Sequence, residues 1–279
     1  MQISIVMPAF NNQKMLDRSL ATLKAQVQRH ALECIIVDDG SKLPLVAPYW
    51  CRLLRIERPP VGRGSSAAKN YGAKHANGDT LVFIDSDILC LKDTLLALQR
   101  QMYACDELGE DKVLLNVMRV SLPEGYPVMR MRNLEVLLRK CRTAGILCNE
   151  KMDMSAICWE QNVGMIRKSF FDSLGGYDSS TFRNWGMNNQ DLDIRVYKAG
   201  GHVSSFIRRT INQKRLYCFH PWHLSQRSKW HADKEFSSKW GEPFSQELMY
   251  RIIGETQDER DGKGDSVREQ GNERVASAS

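Results

Sequence analysis

Thr80-Leu-Val-Phe-Ile-Asp-Ser-Asp87 is the stretch on which the fold turns. Thr80 to Ile84 is short, apolar and rich in β-branched and aromatic residues, the pattern of a buried strand. Asp85 and Asp87 emerge at its carboxyl end, where open α/β sheets hold their ligands. Upstream, Ile3 to Met7 reads as a strand, Leu16, Leu20, Leu23 and Val27 recur at helical spacing, and Cys34 to Val37 reads as a strand again. That is one β-α-β unit. Leu53 to Ile56 reads as a third strand, Ser65 to Ala76 as a helix, and Lys92 to Cys105 as a helix whose apolar face is Leu95, Leu96, Leu98 and Met102. Such alternation predicts an α/β fold with a mainly parallel sheet and helices on both faces.

The second half is less regular. Val113 to Val120 reads as strand, Arg132 to Arg142 as helix, Ala156 to Ile166 as strand, Lys168 to Leu174 as a short helix and Asp191 to Ala199 as helix. The expected organisation is one domain in two halves, 1–110 and 111–225, the later one a smaller mixed region, then a helical extension over 226–254 and a disordered tail over 255–279.

Composition fits a globular chain: 279 residues, 42% hydrophobic and 26% charged, are enough to bury a full core and exclude fibrous and disorder-dominated classes. No apolar run approaches the roughly 18 to 20 residues that span a bilayer, and the N-terminus enters a strand pattern at once, so a cytoplasmic location is expected. The eight cysteines are read as free thiols, because Cys34, Cys90 and Cys158 sit in or beside apolar runs of a long chain. Charge is uneven. From Glu255 onward seven acidic residues face four basic ones, which leaves 35 basic against 26 acidic residues in the body. A basic body suits an anionic ligand or a membrane surface; no nucleic-acid partner is expected. Gly262 to Ser279 has no aromatic residue and no periodicity, and cannot bury enough surface to offset its ordering entropy.

Each early strand ends in residues suited to part of a nucleotide. The first runs into Pro8-Ala-Phe-Asn-Asn12, where Phe10 can stack on a base and Asn11 offers hydrogen bonds. The second runs into Asp38-Asp-Gly-Ser41, a tight turn with carboxylate acceptors, of which Asp39 can accept from a uracil ring N–H. A plain strand-to-turn cap explains Asp38 and Asp39 equally well in isolation.

The ordered series Met7-Pro-Ala-Phe-Asn11, Val37-Asp-Asp-Gly-Ser41, Gly64 through Ala68-Lys-Asn-Tyr-Gly72, Asp85-Ser-Asp87, Gly175-Gly-Tyr-Asp178 and Gln190-Asp191 resembles glycosyltransferase family 2. Its fold is called GT-A, a Rossmann-like, mainly parallel sheet flanked by helices. The resemblance covers roughly residues 2 to 225. Trp185 to Arg195 also resembles the galactosyltransferase C-terminal motif W-G-W-G-G-E-D-D-D, found in inverting enzymes.

The resemblance implies a nucleotide-binding first half and an acceptor and catalytic second half. Pro8 and Phe10 flank the base, Asn11 adds hydrogen bonds and Asp39 reads uracil, so UDP is the implied carrier. Arg63 or Lys69 lies near the donor phosphates, with Asn70 held by the sheet. Asp85 meets the ribose or the water shell of a metal, and Asp87 binds the metal directly. One imidazole of Cys218-Phe-His-Pro-Trp-His223, either His220 or His223, completes the metal site. Carboxylates, phosphate oxygens and an imidazole suit Mn²⁺, or Mg²⁺, as the Lewis acid that stabilises the departing diphosphate. Trp185 and Gln190 border the sugar. Asp191 is the implied base that takes the acceptor hydroxyl's proton during an inverting displacement. The expected activity is transfer of a hexosyl or N-acetylhexosaminyl group from a UDP-sugar to a glycan, lipid-linked or protein acceptor.

The chain departs from the motif at three places: Gln190 stands where Glu is usual, Met187 replaces the second Trp, and Asn188-Asn189 replace two glycines. Gln190 removes one negative charge beside Asp191. Asp193 can orient Arg195 or cap the helix.

Rival readings attach to the same residues. Gly62-Arg-Gly-Ser-Ser-Ala67 matches a dinucleotide fingerprint, but Pro59-Pro60 separate it from its strand and two strands precede it, which argues against a nicotinamide-dependent oxidoreductase. Cys218, His220, His223 and His231 lack a C-x-x-C partner for structural zinc. The helix around Arg130, Arg132, Arg139, Lys140 and Arg142 reads either as core-packed with a basic rim or as an interfacial helix giving peripheral association with the inner face of a membrane. Trp240 reads as a docking residue for the C-terminal segment. A non-catalytic partner subunit that only binds nucleotide sugar is the reading from another class.

Overall fold

The seven buried residues Ile3–Ala9 form strand β1 in the interior of a seven-stranded sheet in the computed structural model of the chain. The structure describes residues 1–57, 65–121, 162–183, 186–204, 217–220 and 229–245, together with 134, 136, 137, 139, 247, 248 and 251. After β1 come α1 (Gln13–Arg29), β2 (Glu33–Asp38), β3 (Arg52–Arg55), α2 (Ser66–Lys74) and β4 (Thr80–Ile84). Then follow β5 (Leu89–Cys90), α3 (Thr94–Glu107), β6 (Val113–Asn116), β7 (Met118–Ser121), β8 (Val163–Arg167) and α4 (Lys168–Ser173). The last elements are α5 (Asn188–Lys198), β9 (His202–Ser204), β10 (Tyr217–His220) and α6 (Lys229–Trp240).

The large sheet has the order β3-β2-β1-β4-β8-β6-β9. Strands β1 to β4 pair in parallel, β8 runs antiparallel between β4 and β6, and β9 is parallel to β6. The sheet is thus mainly parallel, as the alternation of strand and helix patterns predicts. A three-stranded sheet, β5-β10-β7, stands beside it.

Alternate side chains of each strand serve opposite layers, as a period of two requires. Ile3, Ile5, Met7, Ile36, Val82 and Ile84 pack with Leu16, Leu20 and Leu23 of α1 and Leu95 and Leu98 of α3. Val6, Ile35, Val37, Leu81 and Phe83 face the other layer, with Ala68 of α2, Phe171 of α4, Leu192 and Val196 of α5, and Phe236 of α6. Each such side chain contributes on the order of 1.5–3 kcal/mol on burial. On this second layer α2 lies so close to β1 that a Cβ on Gly72 would come within 2.4 Å of Val6 Cγ1.

Two elements differ from expectation. The single strand read over Val113 to Val120 is two, because Val117 bonds back to Val163 and the chain passes from the large sheet (β6) to the small one (β7). The strand-like pattern of Val113 to Val120 gives no sign of such a switch. Helix α5 begins at Asn188, three residues before the expected Asp191, directly after Gly186 (φ 117°) and the left-handed Met187 (φ 58°). Asn188-Asn189, read as substitutes for two glycines, are its first turn. The short strands β5 and β9 carry too few residues to register as a pattern. Of the strand expected over 156–166, the described part begins at Val163; the helix over 132–142 is described only at four positions, and the tail 255–279 lies outside the described residues.

Candidate active site

The loops that follow β1 and β2 are stitched together at the carboxyl end of the sheet. Asn11, at φ 48°, donates its backbone N–H to Ser41 Oγ (2.9 Å) and accepts at Oδ1 from the Lys42 N–H (2.7 Å). Asp39 donates its N–H to the Ala9 carbonyl at 2.9 Å. The carboxylate of Asp38 accepts from the N–H groups of Ser41 (2.8 Å) and Leu45 (3.2 Å) and pairs with Arg55. Burial works against its charge, but the Ser41 and Leu45 hydrogen bonds and the Arg55 guanidinium outweigh it and hold the carboxyl below its ordinary range. Asp38 is therefore the cap of the loop, while Asp39, also buried, is tied through its N–H to the end of β1. The ends of β1 and β2, which carry Pro8 and Asp38, thus lie side by side.

At the end of β4, Asp85 is gripped from two sides. Its N–H donates to the Asn162 carbonyl (3.0 Å), its Oδ2 accepts from Asn162 Nδ2 (2.9 Å), and its Oδ1 lies 3.1 Å from Lys69 Nζ. Lys69 is 1% exposed, with its ammonium 5.1 Å from the Tyr177 ring centroid and 3.5 Å from Asn189 Oδ1. One buried cation thus joins α2, the end of β4, the Gly175–Asp178 turn and the start of α5. Expected near the donor phosphates, Lys69 is here the counterion of Asp85. Asp87 follows in the same turn, closed by the Ile88 N–H on the Asp85 carbonyl (3.1 Å). Burial first, and then the negative charges of Asp85 and Asp193, push the Tyr177 phenol well above its ordinary pKa, so Asp193 is felt on this side of α5.

Asp191 faces the other way and is 0% exposed. Its Oδ2 accepts from Arg195 Nε at 2.9 Å and lies 2.8 Å from Arg195 Nη2; its Oδ1 lies 2.7 Å from Lys239 Nζ and accepts from Trp240 Nε1 at 3.1 Å. Lys239 also reaches Asp178 Oδ2 at 2.8 Å, and Arg195 Nη1 donates to the carbonyls of Leu174 (2.8 Å) and Gly176 (2.7 Å). Two carboxylates and two cations balance in one closed cluster. Arg195 is oriented by Asp191, not by Asp193, and Trp240 docks α6 on α5 as its reading as an anchor requires. Asn70 completes the frame: it donates from Nδ2 to the Tyr177 carbonyl (2.7 Å) and accepts at Oδ1 from the Tyr177 N–H (2.9 Å), so it is held by this turn as well as by its helix. Gln190 is half-buried at the start of α5.

Arg63, Trp185, His223 and the side chain of His220 lie outside the described residues, although the backbone of His220 ends β10. Among the described residues no three His, Cys, Asp or Glu side chains gather as a metal cluster. The donors that are described are hard carboxylate oxygens, which suit Mg²⁺ or Mn²⁺. Both oxygens of Asp85 are engaged, one by Lys69 and one by Asn162. Sequence reasoning did not single out Lys239, which belongs to no motif, and gave Tyr177 and Asn189 no role of their own within the motifs that contain them. No helix among the described residues is long and apolar enough to cross a membrane.

The family model for Glycosyl transferase family 2 matches residues 4–158. An uncharacterized glycosyltransferase, YfnE, of Bacillus subtilis (strain 168) is 33% identical over 97 residues, 33% of this chain and 25% of that protein. The pre-mycofactocin glycosyltransferase of Mycobacterium tuberculosis is 26% identical over 209 residues, 72% of this chain and 40% of that protein. The chain therefore spans well under half the length of these relatives. Among solved structures, Staphylococcus aureus TarS 1-349 in complex with UDP superposes with a TM-score of 0.55 at 14% identity, covering 92% of this chain and 71% of that one. The same protein in complex with UDP-GlcNAc gives 0.54 at 15% identity, covering 92% and 72%. The GT-A fold implied by the sequence motifs is the fold observed.

Proposed function

The chain belongs to glycosyl transferase family 2, and from that premise we propose that it transfers a sugar from a UDP-sugar to an acceptor hydroxyl in glycan assembly. The observation that carries this reading is Asp85, locked between Lys69 and Asn162 at the end of β4, with Asp87 two residues on and the Phe10–Asn11 and Asp39 loops alongside. Phe10 and Asp39 receive the base. Asp87, with Asp85 in its outer shell and His220 or His223 beside it, holds Mn²⁺ or Mg²⁺, whose chemistry is to offset the charge of the departing diphosphate. The solved complexes of TarS with UDP and UDP-GlcNAc support a uridine carrier and an N-acetylhexosaminyl or hexosyl group. The acceptor is a glycan, a lipid-linked sugar or a protein, met in the cytoplasm or at the inner face of a membrane.

Inversion at the anomeric carbon is the expected course and needs a base across the sugar from the diphosphate. Asp191 is the carboxylate assigned that role, held at the start of α5 by Arg195, Lys239 and Trp240. The same enclosure favours, as a second reading, a subunit that binds nucleotide sugar without transferring it.

Calorimetric titration with UDP, with and without Mn²⁺, alongside Asp87→Ala, tests the donor site. Binding that needs both metal and Asp87 supports it; silence toward UDP, GDP and dTDP alike would sink it. UDP release from a panel of UDP-sugars then separates transferase from binding subunit.

A further inference from the structure

We propose that Asn162 is a specificity residue of the donor pocket, whose side-chain carbonyl accepts a hydrogen bond from a hydroxyl or amide N–H of the transferred sugar. Asn162 immediately precedes β8 and is bonded twice to the end of β4: its backbone carbonyl accepts from the Asp85 N–H at 3.0 Å, and its Nδ2 donates to Asp85 Oδ2 at 2.9 Å. The cross-strand pair Ile84 and Val163, one residue further into the sheet, fixes the register on which both bonds depend. Lys69 holds the other oxygen of Asp85 from 3.1 Å away. A carboxylate paired with an ammonium offers acceptors only, so it decides which way the amide faces: the NH2 group turns to Asp85 and the oxygen is left over. Asn162 is only 7% exposed, its Oδ1 is buried, and that oxygen has no hydrogen-bond partner among the described residues.

A carbonyl oxygen shut away from water and left without a donor is destabilising, and such groups in folded proteins call for a bound partner or a functional role. Topology says which part of a nucleotide sugar reaches this one. Strands β2, β1, β4 and β8 are neighbours in that order, and because β8 is antiparallel to β4, its start stands at the carboxyl ends of the other three. Asp39 follows β2, Phe10 follows β1, Asp85 follows β4, and Asn162 comes just before β8. With strands about 4.8 Å apart, the row from β2 to β8 covers about 14 Å. The donor-site reading sets the base at the Asp39 and Phe10 end and the diphosphate by Asp85 and Asp87, so the sugar is the part that comes to β8. An epimer or analogue with no donor at the matching position leaves Oδ1 unpaired, which is how a site built around a hydrogen bond rejects the wrong substrate.

The inference rests on the donor-site reading, and affinity for a UDP-sugar relative to affinity for UDP keeps their failures apart. Calorimetry in the presence of Mn²⁺ sets UDP, UDP-glucose, UDP-galactose, UDP-GlcNAc and UDP-GalNAc against wild type and Asn162→Ala. Loss of the support given to Asp85 weakens UDP and every UDP-sugar by one common factor. Loss of the sugar contact also lowers the ratio of UDP-sugar to UDP affinity, by roughly three- to tenfold for the sugar that wild type prefers, the scale of one hydrogen bond. A second measurement uses analogues of that UDP-sugar, each lacking one ring hydroxyl or the N-acetyl group: one of them binds wild type more weakly by the same factor, and Asn162→Ala no longer tells it from its parent. Wild type silent to UDP sinks the donor-site reading and this inference with it. A ratio unchanged in Asn162→Ala for all four sugars overturns the inference and leaves the donor site standing, and so does a variant in which only the Mn²⁺ requirement shifts, which would give Oδ1 to the shell of the metal. Should Asn162→Ala fail to fold, wild type that binds every analogue as tightly as the parent overturns it without a variant.

Discussion

Lys239 Nζ lies 2.7 Å from Asp191 Oδ1, so a residue of the last helix neutralises an anion at the start of α5. The same ammonium serves Asp178 at 2.8 Å. Removing it in Lys239→Met leaves two carboxylates facing each other across an emptied position. Because Lys239 keeps some solvent contact, the expected loss is about 2 kcal/mol, less than the 3–5 kcal/mol of a wholly buried pair. Urea unfolding with an unchanged m-value checks it; a midpoint equal to wild type would show that the cluster is not stabilising.

Acid should weaken the protein through Asp178 and Asp38. Burial opposes the charge of both, yet hydrogen bonds from Lys239, Ser180 and Thr181 hold Asp178 well below the ordinary carboxylate range, and Ser41, Leu45 and Arg55 do the same for Asp38. A carboxylate depressed in the folded state contributes stability that is complete above its unfolded pKa of about 3.9 and is lost as pH falls toward the folded value. Tm is therefore expected to stay level on this account from neutrality to about pH 5, then fall steadily toward pH 2. Asp38→Asn should flatten part of that descent, and an identical descent in the variant would contradict the assignment.

Gly72→Ala pits helix propensity against packing. Alanine favours a helix over glycine by about 1 kcal/mol, but its Cβ would sit 2.4 Å from Val6 Cγ1 and 3.0 Å from Val37 Cγ2, both fully buried. Overpacking of this kind costs on the order of 1–3 kcal/mol, so a net loss of up to about 2 kcal/mol is expected by the same principles. A gain in Tm would mean that α2 can move off β1.

The thiols make a separate test. Cys34, Cys51, Cys90, Cys105 and Cys218 are free among the described residues. A hydrogen bond to Cys51, reinforced by burial, pushes the Cys34 thiol well up, and burial pushes Cys90 up to about 12. Alkylation at pH 8 should label half-buried Cys51 first, with Cys34 and Cys90 reacting only on unfolding. Mass spectrometry of native protein showing Cys90 labelled as fast as Cys51 would be the contrary result.

Much of the first half was legible in the sequence because Ile3–Met7, Cys34–Val37 and Thr80–Ile84 are buried on both faces, and a strand so placed must be apolar throughout. Asp85 and Asp87 were legible for the same reason, standing where that run ends. The surroundings of Asp191 were not legible: its spacing along the helix cannot tell which face it turns, and its partners Lys239 and Trp240 belong to a helix far along the chain. The switch of Val113 to Ser121 between two sheets was hidden because both strands share one strand-like pattern with no turn residue between them. Asn189 was read only as a replacement for a motif glycine, because an amide at a helix start is usually only a cap.

The hold of Lys239 and Trp240 on Asp191 also orders events in time. A ribosome releases β1 to α5 before it has made α6, so the nascent chain carries the Asp191 carboxylate with Arg195 and without its second cation or its indole. The sheet can form early, but the layer that contains α5 closes only after residue 240 has left the tunnel. Maturation of this site thus waits on α6, and a pause in synthesis before α6 prolongs the interval in which that layer stays open to other chains.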